Sequence, residues 1–273
     1  MKLSIITINL NHAAGLDQTL RSVLEQGYRD FELIVIDGAS TDGSAEVIRR
    51  HSARINHLVS EPDSGIYNAM NKGLRLATGE FVHFLNSGDR LLSPDVLAAI
   101  FSGRQYDADL MYGDLIRPGS TTPTYEQIQP DTLTLDRFFG LGICHQTIFY
   151  RRTLFALLGE YDESYSLLAD WDFNLKVLLA NRPTCHLPFP VVFYEGGGLS
   201  ATQTEPLKRE KDAMFRKRLP LAIYEDYRRF QELKAEATRL RECENWIHQI
   251  QKRNLFKNLA MVTLWAWRRL TRT

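Results

Sequence analysis

The chemistry of this sequence is carried by carboxylates that follow apolar runs. FVHFLNSGD, residues 81–89, reads as a short buried strand that ends in a polar turn with one acid. In open α/β sheets, ligands sit beyond the carboxyl ends of such strands, so Asp89 stands where a metal or a phosphate would be held. Asp37, after FELIVI, and Asp170, in ADWD, are placed to converge on the same edge. The familiar cofactor signatures are missing: no GxGxxG follows the first strand, and there is no GxxxxGK[ST], HExxH or GxSxG. Strand-end carboxylates among glycines suit a nucleotide diphosphate bound through a divalent cation, because hard cations such as Mg²⁺ prefer oxygen donors and often take only one or two from protein.

These acids need a frame. Residues 3–8 and 31–36 are β-branched runs, 55–59 is a weaker third strand, and 66–76 reads as a helix. Leu16, Leu20, Val23 and Leu24 recur at helical spacing, and Asp42 is placed to cap the helix that carries Val47 and Ile48. Strand and helix in alternation predict parallel βαβ units. Further on, Ser93-Pro94 predicts a helix start, with Val96, Leu97, Ile100 and Phe101 inward. Strands are expected at 109–113, 147–150 and 191–194, and a hairpin or loop over 114–130. A helix is expected over 171–179 with Trp171, Leu175, Leu178 and Leu179 inward.

The 273 residues, 44% apolar and 24% charged, suffice for one large α/β domain and an appendage. The zero net charge is unevenly spread. Residues 1–204 carry 16 Lys/Arg against 24 Asp/Glu, and residues 205–273 carry 17 against 9. The boundary is therefore expected at 204/205, between an α/β domain and a basic helical extension. Residues 251–273 hold six Lys/Arg, no acid, and Trp265 and Trp267. They suit an amphipathic helix lying on a membrane surface, or a helix packed on the preceding domain or on a second subunit in a homodimer, and nucleic acid is not an expected partner. Leu233, Leu240 and Ile247, seven apart, suggest a short pairing segment. Cys144, Cys185 and Cys243 form no CxxC, and the start MKLSIITINL has no apolar signal core; both lead to the expectation of a cytoplasmic protein, peripheral at the inner face of the plasma membrane if the tail binds lipid.

VIDGASTDGS at 35–44, SEPDSGIYNAMNKGLRLATGEFVHFLNSGD at 60–89, CHQTIFYRR at 144–152 and ADWDFNLKVL at 169–178 together resemble the inverting family-two glycosyltransferases of the GT-A fold, over roughly residues 1–200. The resemblance implies a Rossmann-like three-layer fold with a mostly parallel sheet, a nucleotide-diphosphate sugar donor, Mg²⁺ or Mn²⁺, and a glycan or lipid-linked acceptor in surface polysaccharide or glycolipid assembly. It implies that Thr7 and Asn9 border the nucleotide, that Asp37 contacts the base or ribose, and that Asp63 lies near them. Asn86-Ser87-Gly88-Asp89 fills the place of the family's DxD, with Asn86 and Gly88 where carboxylates often stand, which leaves Asp89 as the metal ligand and Asn86 as a neutral helper. Asp170 falls at the general base, with Asp172 as its competitor; a proton acceptor is needed on the face opposite the leaving group. His145, Gln146 and Trp171 fall on the acceptor side. Gly197 and Ser200 lie in a glycine-rich loop whose N–H groups can meet phosphate. Two rivals stand beside this reading: a sugar nucleotidyltransferase, which would need a Gly/Arg-rich phosphate loop that TINLNHAAG lacks, and a non-catalytic sugar-nucleotide-binding or scaffold protein.

Overall fold

The computed structural model describes residues 2–119, 124–140, 142–196 and 204–270, and it divides into two compact units at the Arg218–Leu219 junction. The first unit begins with β1 (Leu3–Asn9), α1 (Ala13–Leu24), β2 (Phe31–Asp37), α2 (Ser44–His51), β3 (His57–Ser60), α3 (Ile66–Leu76) and β4 (Phe81–Phe84). Then follow β5 (Arg90–Leu91), α4 (Val96–Phe101), β6 (Leu110–Pro118), β7 (Thr124–Gln127), α5 (Leu135–Gly140), β8 (Ile148–Arg151), α6 (Thr153–Leu158), α7 (Ala169–Leu179), β9 (Thr184–Phe193) and α8 (Thr204–Arg218). The second unit contains α9 (Leu221–Leu270).

The fold is α/β with one mixed sheet, in the order β3-β2-β1-β4-β8-β6-β9-β5, and β7 pairs with β6. β1 to β4 are mutually parallel, as strand–helix alternation requires. That alternation stops after β4. β8 joins β4 antiparallel, β6 joins β8 antiparallel, and β9 returns parallel to β6. Parallel character is thus confined to the first four strands and one later pair.

β1 and β2 are buried nearly from end to end because helices cover both faces. On one face α1, α2 and α4 bury Leu16, Leu20, Val47, Leu97 and Ile100 over Leu3, Ile5, Leu33, Phe81 and Phe149. On the other, Gly73 lets α3 close onto Ile6, where a Cβ would collide with the Ile6 side chain. There, too, Phe173 of α7 stacks on Phe155 at 4.3 Å, and Tyr150 donates to Asn174 Oδ1 at 2.9 Å. Full burial of one such ring is worth about 2–3 kcal/mol, so α7 is firmly seated.

Three expectations shift. α4 starts at Val96 rather than at Pro94, because the Ser93 carbonyl closes a turn on the Val96 N–H first. α7 turns Phe173, Leu175 and Val177 inward, and Leu179 is 40% exposed; the aromatic cluster around Phe173 fixes the helix's rotation. The first unit runs to Arg218 rather than to residue 204. Met214 and Phe215 of α8 are wholly buried, and Arg218 grips α7. In α9, Leu233 and Leu240 are 56% and 59% exposed, and the side chain of Ile247 lies outside the described residues. Among the described residues, no helix is long and apolar enough to cross a membrane.

Candidate active site

The parallel register brings Asn9, Asp37 and Ser60 side by side at the carboxyl ends of β1, β2 and β3. Asp37 is 2% exposed and saturated. Its Oδ1 accepts Asn9 Nδ2 at 2.8 Å and Ser40 Oγ at 2.6 Å, and its Oδ2 accepts the Ser40 N–H at 3.0 Å and Ser60 Oγ at 2.9 Å. Burial pushes its carboxyl up, but these donors outweigh burial and hold it below the ordinary range. Asp37 therefore shapes the strand-end loops. Asp42 sits one residue ahead of the α2 N-cap and accepts the N–H groups of Ser44 and Ala13, tying α2 to α1. Asp63 pairs with Lys72 at 2.7 Å. Thr7 is fully buried and its Oγ1 has no partner.

The turn after β4 is held from α1. Thr19 Oγ1 donates to the Asp89 carbonyl at 2.6 Å and accepts the Gly88 N–H at 3.0 Å. Gly88 has φ +103°, and a Cβ there would strike the Glu195 carboxylate, so only glycine suits the position. The turn presents Asn86 and Asp89 to a cleft of about 530 Å³. Tyr67 of α3, Arg117 and Gln127 of the β6–β7 hairpin, His145, Gln146, Ser166 to Leu168, Asp170, Trp171, Tyr194 and Leu207 of α8 also line it.

Within this cleft Asp170 and His145 meet. Asp170 Oδ1 accepts Tyr67 Oη at 2.7 Å, and His145 Nδ1 stands 3.4 Å from Asp170 Oδ2. The other ring nitrogen of His145 is 3.2 Å from Asn86 Nδ2. A proton on Nδ1 serves the Asp170 contact, and the Asn86 amide lies against Nε2. The two carboxylates are driven apart. Burial raises Asp89 to about 6, against the N–H of Glu195, the charge of His145 and the Gln146 amide. Burial also works to raise Asp170, but His145 and the Tyr67 hydroxyl reverse the direction and hold it low. Asp170 is thus ionised throughout the neutral range. Asp172, the competitor, points away from the cleft. It is wholly buried and takes a bidentate contact from Arg218 at 2.6 and 2.8 Å.

The structure thus gathers Asn86, Asp89, His145, Gln146, Asp170 and Trp171 around one cleft. Thr7, Asn9, Asp37 and Asp63 lie outside its lining, at the neighbouring strand ends. Gly197 and Ser200 lie outside the described residues. Asn86 Oδ1 is buried without a partner, and one Asp89 oxygen is taken by the Glu195 N–H at 3.0 Å. These two residues offer a hard, oxygen-only donor pair that fits a divalent cation bridged to phosphate. Among the described residues, no cluster of three His, Cys, Asp or Glu adds a further ligand set. Sequence reasoning missed Tyr67, Arg117, Tyr194 and Leu207. Tyr67 sits in a helical pattern where it reads as packing, and only the fold shows its hydroxyl reaching Asp170.

Residues 4–158 match the family described as glycosyl transferase family 2. A PGL/p-HBAD biosynthesis glycosyltransferase of Mycobacterium bovis is 38% identical, over 80% of this chain and 84% of that one. Among solved structures, residues 1–349 of S. aureus TarS superpose with a TM-score of 0.64 at 20% identity, covering 83% of this chain and 69% of that one. The mannosyltransferase PcManGT from Pyrobaculum calidifontis, in complex with GDP-Man and Mn²⁺, has a TM-score of 0.60 at 21% identity, covering 79% and 63%.

Proposed function

Since the chain belongs to glycosyl transferase family 2 and is a glycosyltransferase of glycan biosynthesis, we propose that it is an inverting enzyme that moves one sugar from a nucleotide diphosphate to an acceptor hydroxyl. The observation that carries this reading is the convergence of two buried carboxylates on one cleft, Asp170 seated between the Tyr67 hydroxyl and His145, and Asp89 on the same turn as the unpartnered Asn86 Oδ1.

Asp170 accepts the proton of the acceptor hydroxyl as that oxygen attacks the anomeric carbon. Tyr67 and His145 keep the carboxylate ionised and fix its orientation. The nucleotide diphosphate leaves from the opposite face of the sugar. Asp89 and Asn86 would hold Mg²⁺ or Mn²⁺, whose contribution when bound is positive charge against the leaving diphosphate. Asp37 and its ring of donors shape the nucleoside end, and Trp171 and Gln146 stand on the acceptor side. Support for a sugar-nucleotide donor comes from the fold's likeness to proteins solved with UDP-GlcNAc and with GDP-Man. The basic, acid-free segment 251–273 supports peripheral attachment to anionic lipid, which suits a lipid-linked acceptor.

A thermal-shift screen of UDP, GDP and their sugars, with Mn²⁺ and with chelator, tests the donor reading. A ligand above its Kd stabilises the fold. Stabilisation by a sugar nucleotide, followed by its turnover, is the expected result. Stabilisation without any sugar release or transfer would favour a non-catalytic binding protein.

A further inference from the structure

Helix α8 contributes more to the cleft than its charged sequence suggests. Phe215 lies edge-on to the rings of Phe138 and Phe139. Lys211 Nζ stands 4.4 Å over the Trp171 ring and donates to the Phe139 carbonyl at 3.1 Å. Arg218 closes on Asp172. Just ahead of these anchors, Glu210 turns toward the chain that leads into α7. Its carboxylate accepts two consecutive backbone N–H groups, those of Ser166 and of Leu167, the latter at 2.8 Å.

That segment is part of the site. Ser166, Leu167 and Leu168 line the cleft. Leu168 is also the N-cap of α7 and provides no side-chain cap, so the Glu210 contacts supply polar anchoring that the cap residue does not. Asp170 stands in the first turn beyond it. A carboxylate that receives two N–H groups makes charge-assisted bonds, roughly twice as strong as neutral ones, and it fixes direction as well as position.

We propose that Glu210 is a positioning residue of the active site: it pins the Ser166–Leu168 wall and so sets where Asp170 meets the acceptor hydroxyl. The inference rests on the reading of Asp170 as general base. Asp at 210 keeps two acceptor oxygens on a shorter arm. Gln keeps the length, but turns an NH₂ toward one of the two donors.

The test compares Glu210→Gln, Glu210→Asp and a same-helix control, Lys208→Gln, whose exposed ammonium pairs with Glu205 one turn away. The readouts are amide hydrogen exchange at Ser166 and Leu167, the Kd of UDP and of GDP with Mn²⁺, the melting temperature, and kcat with the sugar nucleotide that the parent turns over. In Glu210→Gln, exchange at both amides should accelerate by roughly 10-fold or more. Its kcat should fall by about 10- to 100-fold, because misplacement by an ångström can cost that much. Nucleotide Kd should stay within about twofold. Glu210→Asp should recover part of kcat, and Lys208→Gln should match the parent. Unchanged exchange in Glu210→Gln overturns the clip. Faster exchange with parental kcat overturns the positioning role, as does parallel loss of kcat, nucleotide affinity and melting temperature, which would mark a merely structural residue. A parent without turnover of any sugar nucleotide overturns the transfer reading and the positioning claim together, whereas failure of the inference alone appears only in the variants.

Discussion

Tyr67 and Asp170 lie 103 residues apart and share a 2.7 Å hydrogen bond. It links the first turn of α3 to the first turn of α7, across the seam between the parallel strands and the antiparallel part of the sheet. A hydroxyl that donates to a carboxylate stabilises its ionised form, so this contact helps hold Asp170 low against burial.

Tyr67→Phe removes that donor. The sign follows directly: with less support for the charged form, the Asp170 carboxyl moves up. The acid limb of the kcat profile, read at saturating Mn²⁺ and donor so that Asp89 does not set it, should therefore shift to higher pH, with a loss at neutral pH of no more than about 10-fold. An acid limb at the same pH in both proteins would detach Tyr67 from Asp170.

Asp172→Asn should behave as a stability variant. It leaves the Arg218 guanidinium with its longer, 3.7 Å contact to Asp162, and breaking a buried pair costs roughly 3–5 kcal/mol; Arg218 is partly exposed and keeps that second carboxylate, so the lower end is expected. Urea unfolding reads this cost. Nucleotide affinity of the folded variant should match the parent, and a selective loss of turnover at unchanged stability would return Asp172 to the site.

His83 supplies an acid-sensitive element in the core. It is fully buried, donates from Nδ1 to the Ile148 carbonyl, and is pushed by burial from 6.5 to about 4. Between these values the unfolded chain binds the proton and the folded chain does not, so His83 favours folding above pH 6.5, and that contribution is lost as pH falls toward 4, by at most about 3 kcal/mol. Asp89, raised from 3.8 to about 6, works the other way: folding gains as pH falls through 6. The comparison of His83→Phe with the parent isolates the first term. The variant should lose less stability between pH 6.5 and 4, and identical pH slopes would contradict this.

Asp89 also predicts a pH dependence of ligand binding. Its carboxyl, raised by burial to about 6, is protonated below that value, and only the carboxylate can hold a cation. Mn²⁺-assisted nucleotide affinity should decline below pH 6, and Asp89→Asn should show the weak affinity at every pH. Calorimetry that gives equal affinity with Mn²⁺ and with chelator in the parent would remove the metal role.

Much of this site was legible in the sequence because strand ends announce themselves. The runs ending at Asn9, Asp37 and Asn86 are continuous and apolar, and parallel pairing puts their termini on one edge. The choice of Asp170 over Asp172 also points to the residue that faces the cleft. What could not be read is whatever depends on long-range packing. Tyr67 looks like a core residue until α7 is placed beside it. The boundary at residue 204 followed the change in charge, but Glu210, Met214, Phe215 and Arg218 commit α8 to the first unit through partners more than 40 residues away. Asp89 and Asn86 are already the candidate pair in the sequence, but that Asn86 Oδ1 stands buried without a partner is a property of the folded turn.

For the tail, truncation after Ile250 removes six basic residues and leaves every described residue of the cleft lining in place. Each is worth about 1 kcal/mol near an anionic surface, weakened by salt. The full chain should sediment with anionic vesicles and the truncated chain should not, with turnover of a soluble acceptor retained. Equal sedimentation would rule against lipid attachment.

If Asp170 takes the acceptor's proton in the sugar transfer, Asp170→Asn removes the accepting oxygen. Transfer from the sugar nucleotide identified by the screen should be measured by single turnover, alongside nucleotide Kd and melting temperature. The account predicts that transfer falls by roughly 100-fold or more while nucleotide affinity stays within about twofold. Near-parental transfer by a folded Asp170→Asn would contradict it.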